Sequence, residues 1–237
     1  MIPIRSLLVP AAALGLVSAA VPARAISVAG YGFRMGIAAA RIHGDYGDAS
    51  GSQRRVGFAC ASFARVPVSG PLSLQPEIGW ASKGADDNFT GTVSGGGYQE
   101  TFGFPIEHRI EYLEIPILLR VDVPTGSWLE PHFLMGPEVA IRTGGDRVTG
   151  PYTFTIQPSP RVQGARIFEE VGTVDNPRYR NVDWSMIGGV GLALGRAPLR
   201  IVVDSRYALG LAGIFPDSDR SLAHNGAWIT TLGIELR

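Results

Sequence analysis

The sequence predicts an all-β fold: an eight-stranded antiparallel up-and-down transmembrane β-barrel with short periplasmic turns and long extracellular loops. Three observations predict this class. Apolar and polar residues alternate with a period of two, short and long connections alternate along the chain, and the polar strand faces carry balanced charge. Composition agrees, since 31 of 237 residues are Gly, 17 are Pro and only 18% are charged. A helical bundle would be less rich in glycine.

The first 25 residues have the pattern of a secretory signal peptide. Arg5 supplies the positive start, residues 6–20 are apolar and small, and Ala23-Arg24-Ala25 fits the cleavage rule. Prolines interrupt the apolar run, which is too short for a helix of about 20 residues that spans a bilayer. The sequence therefore predicts a signal peptide over residues 1–25 and one barrel domain over residues 26–237.

Period-two alternation marks the strands. Leu72, Leu74 and Ile78 alternate with Ser73, Gln75 and Glu77, for example, which is typical of a strand with one apolar and one polar face. The same alternation recurs along the mature chain, although no register is evident for the second strand. Eight strands are predicted near residues 32–42, 55–65, 71–83, 108–121, 129–142, 182–195, 198–210 and 226–237.

The connections between these strands alternate in length. Short turns are expected near residues 66–70, 122–127 and 195–198. Longer loops are expected near residues 43–54, 84–107, 143–181 and 211–225. Outer-membrane barrels show this asymmetry, with short turns on the periplasmic side and long loops outside, whereas such long loops are uncommon in a compact soluble domain.

Charge on the polar strand faces indicates an enclosed interior. Seven acids and seven bases occupy these faces, as expected for a network of ion pairs, because an unpaired buried charge is costly. Abundant Gly and Ala on the same faces would leave room for long charged side chains. The lumen network is predicted to include Glu77, Glu114, Arg120, Glu138, Arg200, Asp204 and Arg206.

The four tryptophans lie on the apolar face or at its margin, near strand ends. In the predicted topology, Trp80, Trp184 and Trp228 cluster near the long-loop end and Trp128 lies at the short-turn end. Aromatic side chains concentrate at the two membrane–water interfaces of a barrel. These four residues are therefore predicted to form aromatic girdles.

Four segments resemble strands of the PorT-like outer-membrane β-barrel family. They are Leu72–Gly84, Tyr112–Arg120, Pro131–Pro137 and Asp204–Leu211. The resemblance covers most of the mature chain and implies an eight-stranded barrel in the bacterial outer membrane. It implies little about individual function.

No residue pattern predicts catalysis, a cofactor or a metal. His43, His108 and His224 are expected near the long-loop end and His132 at the opposite end, with unrelated separations. No histidine belongs to the His-x-Ser pair of lipid A deacylases. The zero net charge disfavours binding of nucleic acid through a basic surface.

The function expected from these observations is that of a non-enzymatic integral outer-membrane protein. Its lumen would be filled by side chains, and it would act structurally or through its loops. Expected partners are outer-membrane lipid, with lipopolysaccharide or an envelope protein as candidates for the long loops. Two alternatives stay open: a lipid-modifying enzyme acting at the barrel mouth, and a secreted lipocalin-like carrier with its aliphatic faces turned inward.

Overall fold

A computed structural model describes residues 27–44, 53–95, 98–150, 153–158, 164–167, 174–175, 179–215 and 223–237. The predicted signal peptide lies outside the described residues. Eight long strands form the barrel: β1 (Gly30–His43), β2 (Gln53–Ser69), β3 (Leu72–Gly95), β4 (Tyr98–Asp122), β5 (Leu129–Thr149), β9 (Val182–Arg196), β10 (Leu199–Gly213) and β11 (His224–Leu236). Among the described residues between β5 and β9 lie three short strands: β6 (Thr153–Pro158), β7 (Gly164–Ile167) and β8 (Val174–Asp175).

The eight long strands close into a ring of antiparallel neighbours. Each pairs with the long strand before and after it, and β1 pairs with β11 from Tyr31↔Leu236 to His43↔His224. Closure leaves no unpaired edge in the barrel wall. The predicted eight-stranded up-and-down fold is confirmed.

The two faces of the barrel wall are sorted as the alternation predicts. Leu74, Ile115 and Ile201 point outward and are 40%, 39% and 49% exposed. Their polar neighbours point inward, and Glu77 and Asp204 are only 5% and 1% exposed. The secreted-carrier alternative is therefore wrong, because it needs the aliphatic faces inside. Among the described residues, no helix is long and apolar enough to cross a membrane.

Two predicted loops contain strands. Residues 84–107 continue β3 and β4 as a paired hairpin, with register from Gly84↔Arg109 to Gly95↔Tyr98. β5 also runs on to Thr149, past the predicted boundary. β6 pairs with β4, β7 with β6, and β8 with β5. The prediction of loops was wrong here because a strand above the bilayer needs no apolar outer face. The ladder therefore continues after the alternation stops.

Candidate functional site in the barrel interior

The centre of the lumen is crossed by ion pairs between distant strands. Arg206 Nη1 of β10 donates to both carboxylate oxygens of Glu77 on β3, at 3.0 and 2.9 Å, and Glu77 is also paired with Arg34 of β1. Arg206 Nη2 donates to Asp204 Oδ2 at 2.7 Å. Arg34 Nη1 lies 3.3 Å from the same oxygen. Two arginines and two carboxylates thus balance one another where water is largely excluded.

A histidine extends this central group toward β4 and β5. His132 Nε2 lies 2.7 Å from Asp204 Oδ1, and Arg120 Nη2 lies 3.3 Å from His132 Nδ1. Because Arg120 can only donate, Nδ1 must accept, so the Nε2 hydrogen is the one donated to the carboxylate. Gln75 completes the link by accepting from Arg120 at 3.1 Å and donating to Glu77 at 2.6 Å.

A second group lies nearer the long-loop end. Lys83 Nζ contacts Glu114 at 2.6 Å and Glu138 at 3.3 Å, and Ser185 Oγ donates to Glu138 at 2.7 Å. The Lys83 ammonium also lies 5.8 Å from the centre of the Tyr112 ring. One cation therefore serves two carboxylates, with a hydroxyl as an additional donor.

A third group closes the short-turn end. Arg200 pairs with Glu130, whose carboxylate also contacts Arg237 at 3.0 Å. Arg237 bridges to Glu235 at 2.9 Å. Glu235 lies 3.7 Å from the Arg120 guanidinium, which places this group against the central one.

The seven predicted lumen residues are all buried but do not form a single cluster. Glu77, Asp204, Arg206 and Arg120 belong to the central group. Glu114 and Glu138 share Lys83, and Arg200 lies apart at the short-turn end. The prediction omitted His132 and Gln75, which connect Arg120 to the centre. Both residues lie on the polar strand faces, which was a signal available in the sequence. They were omitted because the predicted network included only residues with a formal charge.

Glycine in β9 makes room for the central group. A Cβ built on Gly191 would collide with Asp204 Oδ1 and with the His132 ring. One on Gly189 would come within 2.8 Å of Arg206 Cγ. The glycine-rich stretch of this strand therefore gives the space that the charged side chains occupy.

The predicted girdle tryptophans lie near the ends of the barrel wall. Trp128, Trp184 and Trp228 are about half exposed, and Trp80 is half-buried. Trp80 packs beside Phe58 with ring centres 6.3 Å apart, and Trp228 packs beside Tyr207 at 5.1 Å. Trp128 lies just before β5 at the short-turn end, whereas Trp184 lies close to the long-loop end of β9.

The closed ring, apolar outer wall and charged interior agree with the comparison to known families. The family model of the outer membrane protein beta-barrel domain matches residues 23–216. The chain belongs to this family. The match shows the broader outer-membrane barrel family, and the narrower PorT-like assignment stays a prediction.

Solved structures of other outer-membrane barrels are similar only in part. Neisserial surface protein A is 8% identical, with a TM-score of 0.44, and the match covers 87% of this chain and 96% of that chain. Ail, the attachment invasion locus protein of Yersinia pestis, is 12% identical, with a TM-score of 0.33 over 87% and 98%. No curated protein matches the sequence.

The histidines of this outer-membrane barrel lie in separate surroundings. His43 Nε2 lies 3.3 Å from Tyr207 Oη, His108 Nδ1 lies 2.7 Å from Tyr179 Oη, and His132 is held in the lumen. Only His43 and His224 are register partners. Within the described residues, no group of three or more His, Cys, Asp or Glu side chains could hold a metal ion.

Proposed function

We propose that this outer-membrane barrel is a non-enzymatic protein with a side-chain-filled lumen, acting as a structural element of the membrane or through its projecting hairpins. The observation that carries the proposal is the layer of paired side chains across the lumen, centred on Arg34, Glu77 and Arg206. The cavity beside them measures about 20 Å³. A single water needs roughly 10–15 Å³, so such a space does not support a wide aqueous path.

The β3–β4 hairpin supports a role outside the membrane. It continues about 15 residues beyond Trp80, which at roughly 3.3 Å per residue amounts to about 50 Å of strand. Phe89, Phe102 and Phe104 pack together on it, with ring centres 4.9 Å apart for Phe89 and Phe104. A paired and internally packed hairpin presents a defined surface to the cell exterior.

Conductance across a planar lipid bilayer tests the filled lumen. The purified barrel should give no stepwise conductance of the size shown by a porin measured alongside it. The triple variant R34A/E77A/R206A removes the central side chains and should increase the conductance. Porin-sized steps from the wild-type protein would contradict the proposal.

Two further measurements test the exposure of the hairpin and the non-enzymatic role. Protease added to intact cells should cleave within residues 84–107 and leave the rest of the barrel in the membrane. The folded protein, incubated with outer-membrane lipid vesicles, should release no fatty acid over time. Catalysed release would favour the lipid-modifying alternative.

A further inference from the structure

A pocket of about 180 Å³ indents the outer wall of the barrel at the long-loop end. Its lining comes from four neighbouring strands. The side chains that matter here are Arg41 and His43 of β1, Arg54 of β2, Tyr207 of β10 and Trp228 of β11. All five lie on the outward face of the wall, so the pocket is separate from the charged lumen.

The lower edge of the pocket is aromatic and faces the hydrocarbon. Trp228 and Tyr207 are register partners whose rings lie 5.1 Å apart. Further toward the short-turn end, the outward residues of β1 are Ile37, Met35 and Phe33, all exposed. Arg41 lies four positions from Ile37, or roughly 13 Å along the strand. The pocket therefore lies where the apolar wall gives way to the headgroup region of the outer leaflet.

Gly226 of β11 forms the back of the pocket. A Cβ at this position would come within 2.5 Å of His43 Nε2 and 2.7 Å of Tyr207 Oη. The missing side chain lets these two groups approach to 3.3 Å of each other. The hollow is thus built by a specific combination of residues from three strands.

The upper part of the pocket concentrates positive charge. Arg41 Nε donates to His43 Nε2 at 3.1 Å. Within the described part of the chain, neither Arg41 nor Arg54 contacts a carboxylate, in contrast to the paired arginines of the lumen. Burial, followed by the charges of Arg41 and Arg54, lowers the pKa of His43. A bound anion would offset the positive charge that Arg41 and Arg54 bring to the pocket.

We propose that this pocket binds the phosphate group of an outer-leaflet lipid, with Arg41 and Arg54 holding the phosphate while Tyr207 and Trp228 contact the lipid at the hydrocarbon boundary. Arginine suits this task because its planar donors match phosphate oxygens in pairs. Tyrosine and tryptophan suit the boundary because each has an apolar body and a polar tip. The proposal is independent of the filled lumen and of the projecting hairpin.

Native mass spectrometry of the folded full-length barrel in a neutral detergent tests the site, with diphosphorylated lipid A as the probe. The wild-type protein should retain one lipid. R41A/R54A should weaken binding by about tenfold for each arginine removed, since a charge-assisted hydrogen bond contributes on the order of 1.4 kcal/mol or more. R54A alone removes one exposed side chain. It should weaken binding by about tenfold and tests the site even if the double variant folds poorly.

Three controls decide between sources of the effect. R196A removes an exposed arginine at the short-turn end and should bind lipid like the wild type. Phosphate-free lipid A should bind the wild type as weakly as diphosphorylated lipid A binds R41A/R54A. Inorganic phosphate at the same concentration should not displace the diphosphorylated lipid. Equal binding by R41A/R54A and wild type, or equal retention of the phosphate-free lipid, would overturn the proposal. Displacement by inorganic phosphate would show that the ligand is a soluble anion and overturn the lipid assignment.

Discussion

At the scale of single residues, Glu77 holds a central place in the lumen. It is fully enclosed and accepts from Arg34, Arg206 and Gln75, which come from three different strands. Breaking a buried pair by removing one partner leaves an uncompensated charge inside the protein. Arg34 therefore depends on this carboxylate more than on Asp204, from which it lies 3.3 Å away, whereas Arg206 is paired with both carboxylates.

We predict that E77A lowers the free energy of unfolding by about 3–5 kcal/mol, the range for a broken buried ion pair. A folded barrel migrates differently from the unfolded chain on a gel. The measurement is the temperature or urea concentration at which the folded band is replaced by the unfolded one. R196A removes an exposed charge at the end of β9 and should change the free energy of unfolding by less than about 0.5 kcal/mol. Similar shifts for the two variants would mean that the central group does not stabilise the barrel.

Two glycines of β9 give a matched pair of substitutions. Gly191 faces the lumen, where an added Cβ would collide with Asp204 and His132, whereas Gly188 has no atom within 4 Å of an added Cβ. G191A should therefore destabilise the barrel by about 1–3 kcal/mol through overpacking. G188A on the outer face should be close to neutral. Equal effects of the two substitutions in urea titrations would contradict this account.

At the scale of elements, the β3–β4 hairpin is tied down by an ion-pair cluster above the membrane. Glu107 accepts from Arg109 at 2.7 Å through both carboxylate oxygens and from Arg55 of β2 at 2.9 Å. These bonds, those of Arg109 above all, lower the pKa of Glu107 to about 2. The cluster thus joins the base of the hairpin to the barrel wall.

Acid should loosen this hairpin. An unfolded glutamate has a pKa near 4.3, so the charged form of Glu107 stabilises the hairpin fully above that pH, and the contribution is lost as pH falls toward 2. Amide hydrogen exchange of residues 84–107, corrected for its intrinsic pH dependence, should become faster over this window. E107Q should remove that change. D86N should leave it in place, because burial raises rather than lowers the pKa of Asp86.

The same hairpin shows where prediction from the sequence stopped. Alternation identified β3 up to Lys83 and β4 from His108, because up to those points one face meets lipid and the other the lumen. Above the membrane both faces meet polar surroundings, so residues such as Thr90 and Thr92 carry no period-two contrast. Only the pairing with β4, as in Thr92↔Thr101, shows that the strand continues.

At the scale of the whole molecule, the outer wall sets the relation to the bilayer. About 11 residues separate Trp128 from Val139, the register partner of Trp184. That is roughly 36 Å of strand, or about 28 Å across the membrane at a tilt of about 40°. This agrees with an apolar band about 25 Å tall.

Charge placed on the outer wall should reveal this band. M135R introduces a charge on an exposed position between the two aromatic levels and should cost about 2–4 kcal/mol of stability in a lipid bilayer. L199R, at the short-turn end of β10, should cost only about 0–1 kcal/mol. Urea unfolding in phospholipid vesicles measures both. A larger cost for L199R than for M135R would place the membrane elsewhere on the wall.

The sequence by itself determined the fold class, the eight long strands and the sides on which Leu74 and Glu77 lie, since a period of two separates faces that meet different solvents. Only the tertiary structure decided which charges meet: Arg206 pairs with Glu77, 129 residues away, while Arg200 joins Glu130 at the end of the barrel. Alternation assigns a side chain to a face but carries no information on its height in the barrel. Strand register sets that height, and with it the partners that each buried charge finds.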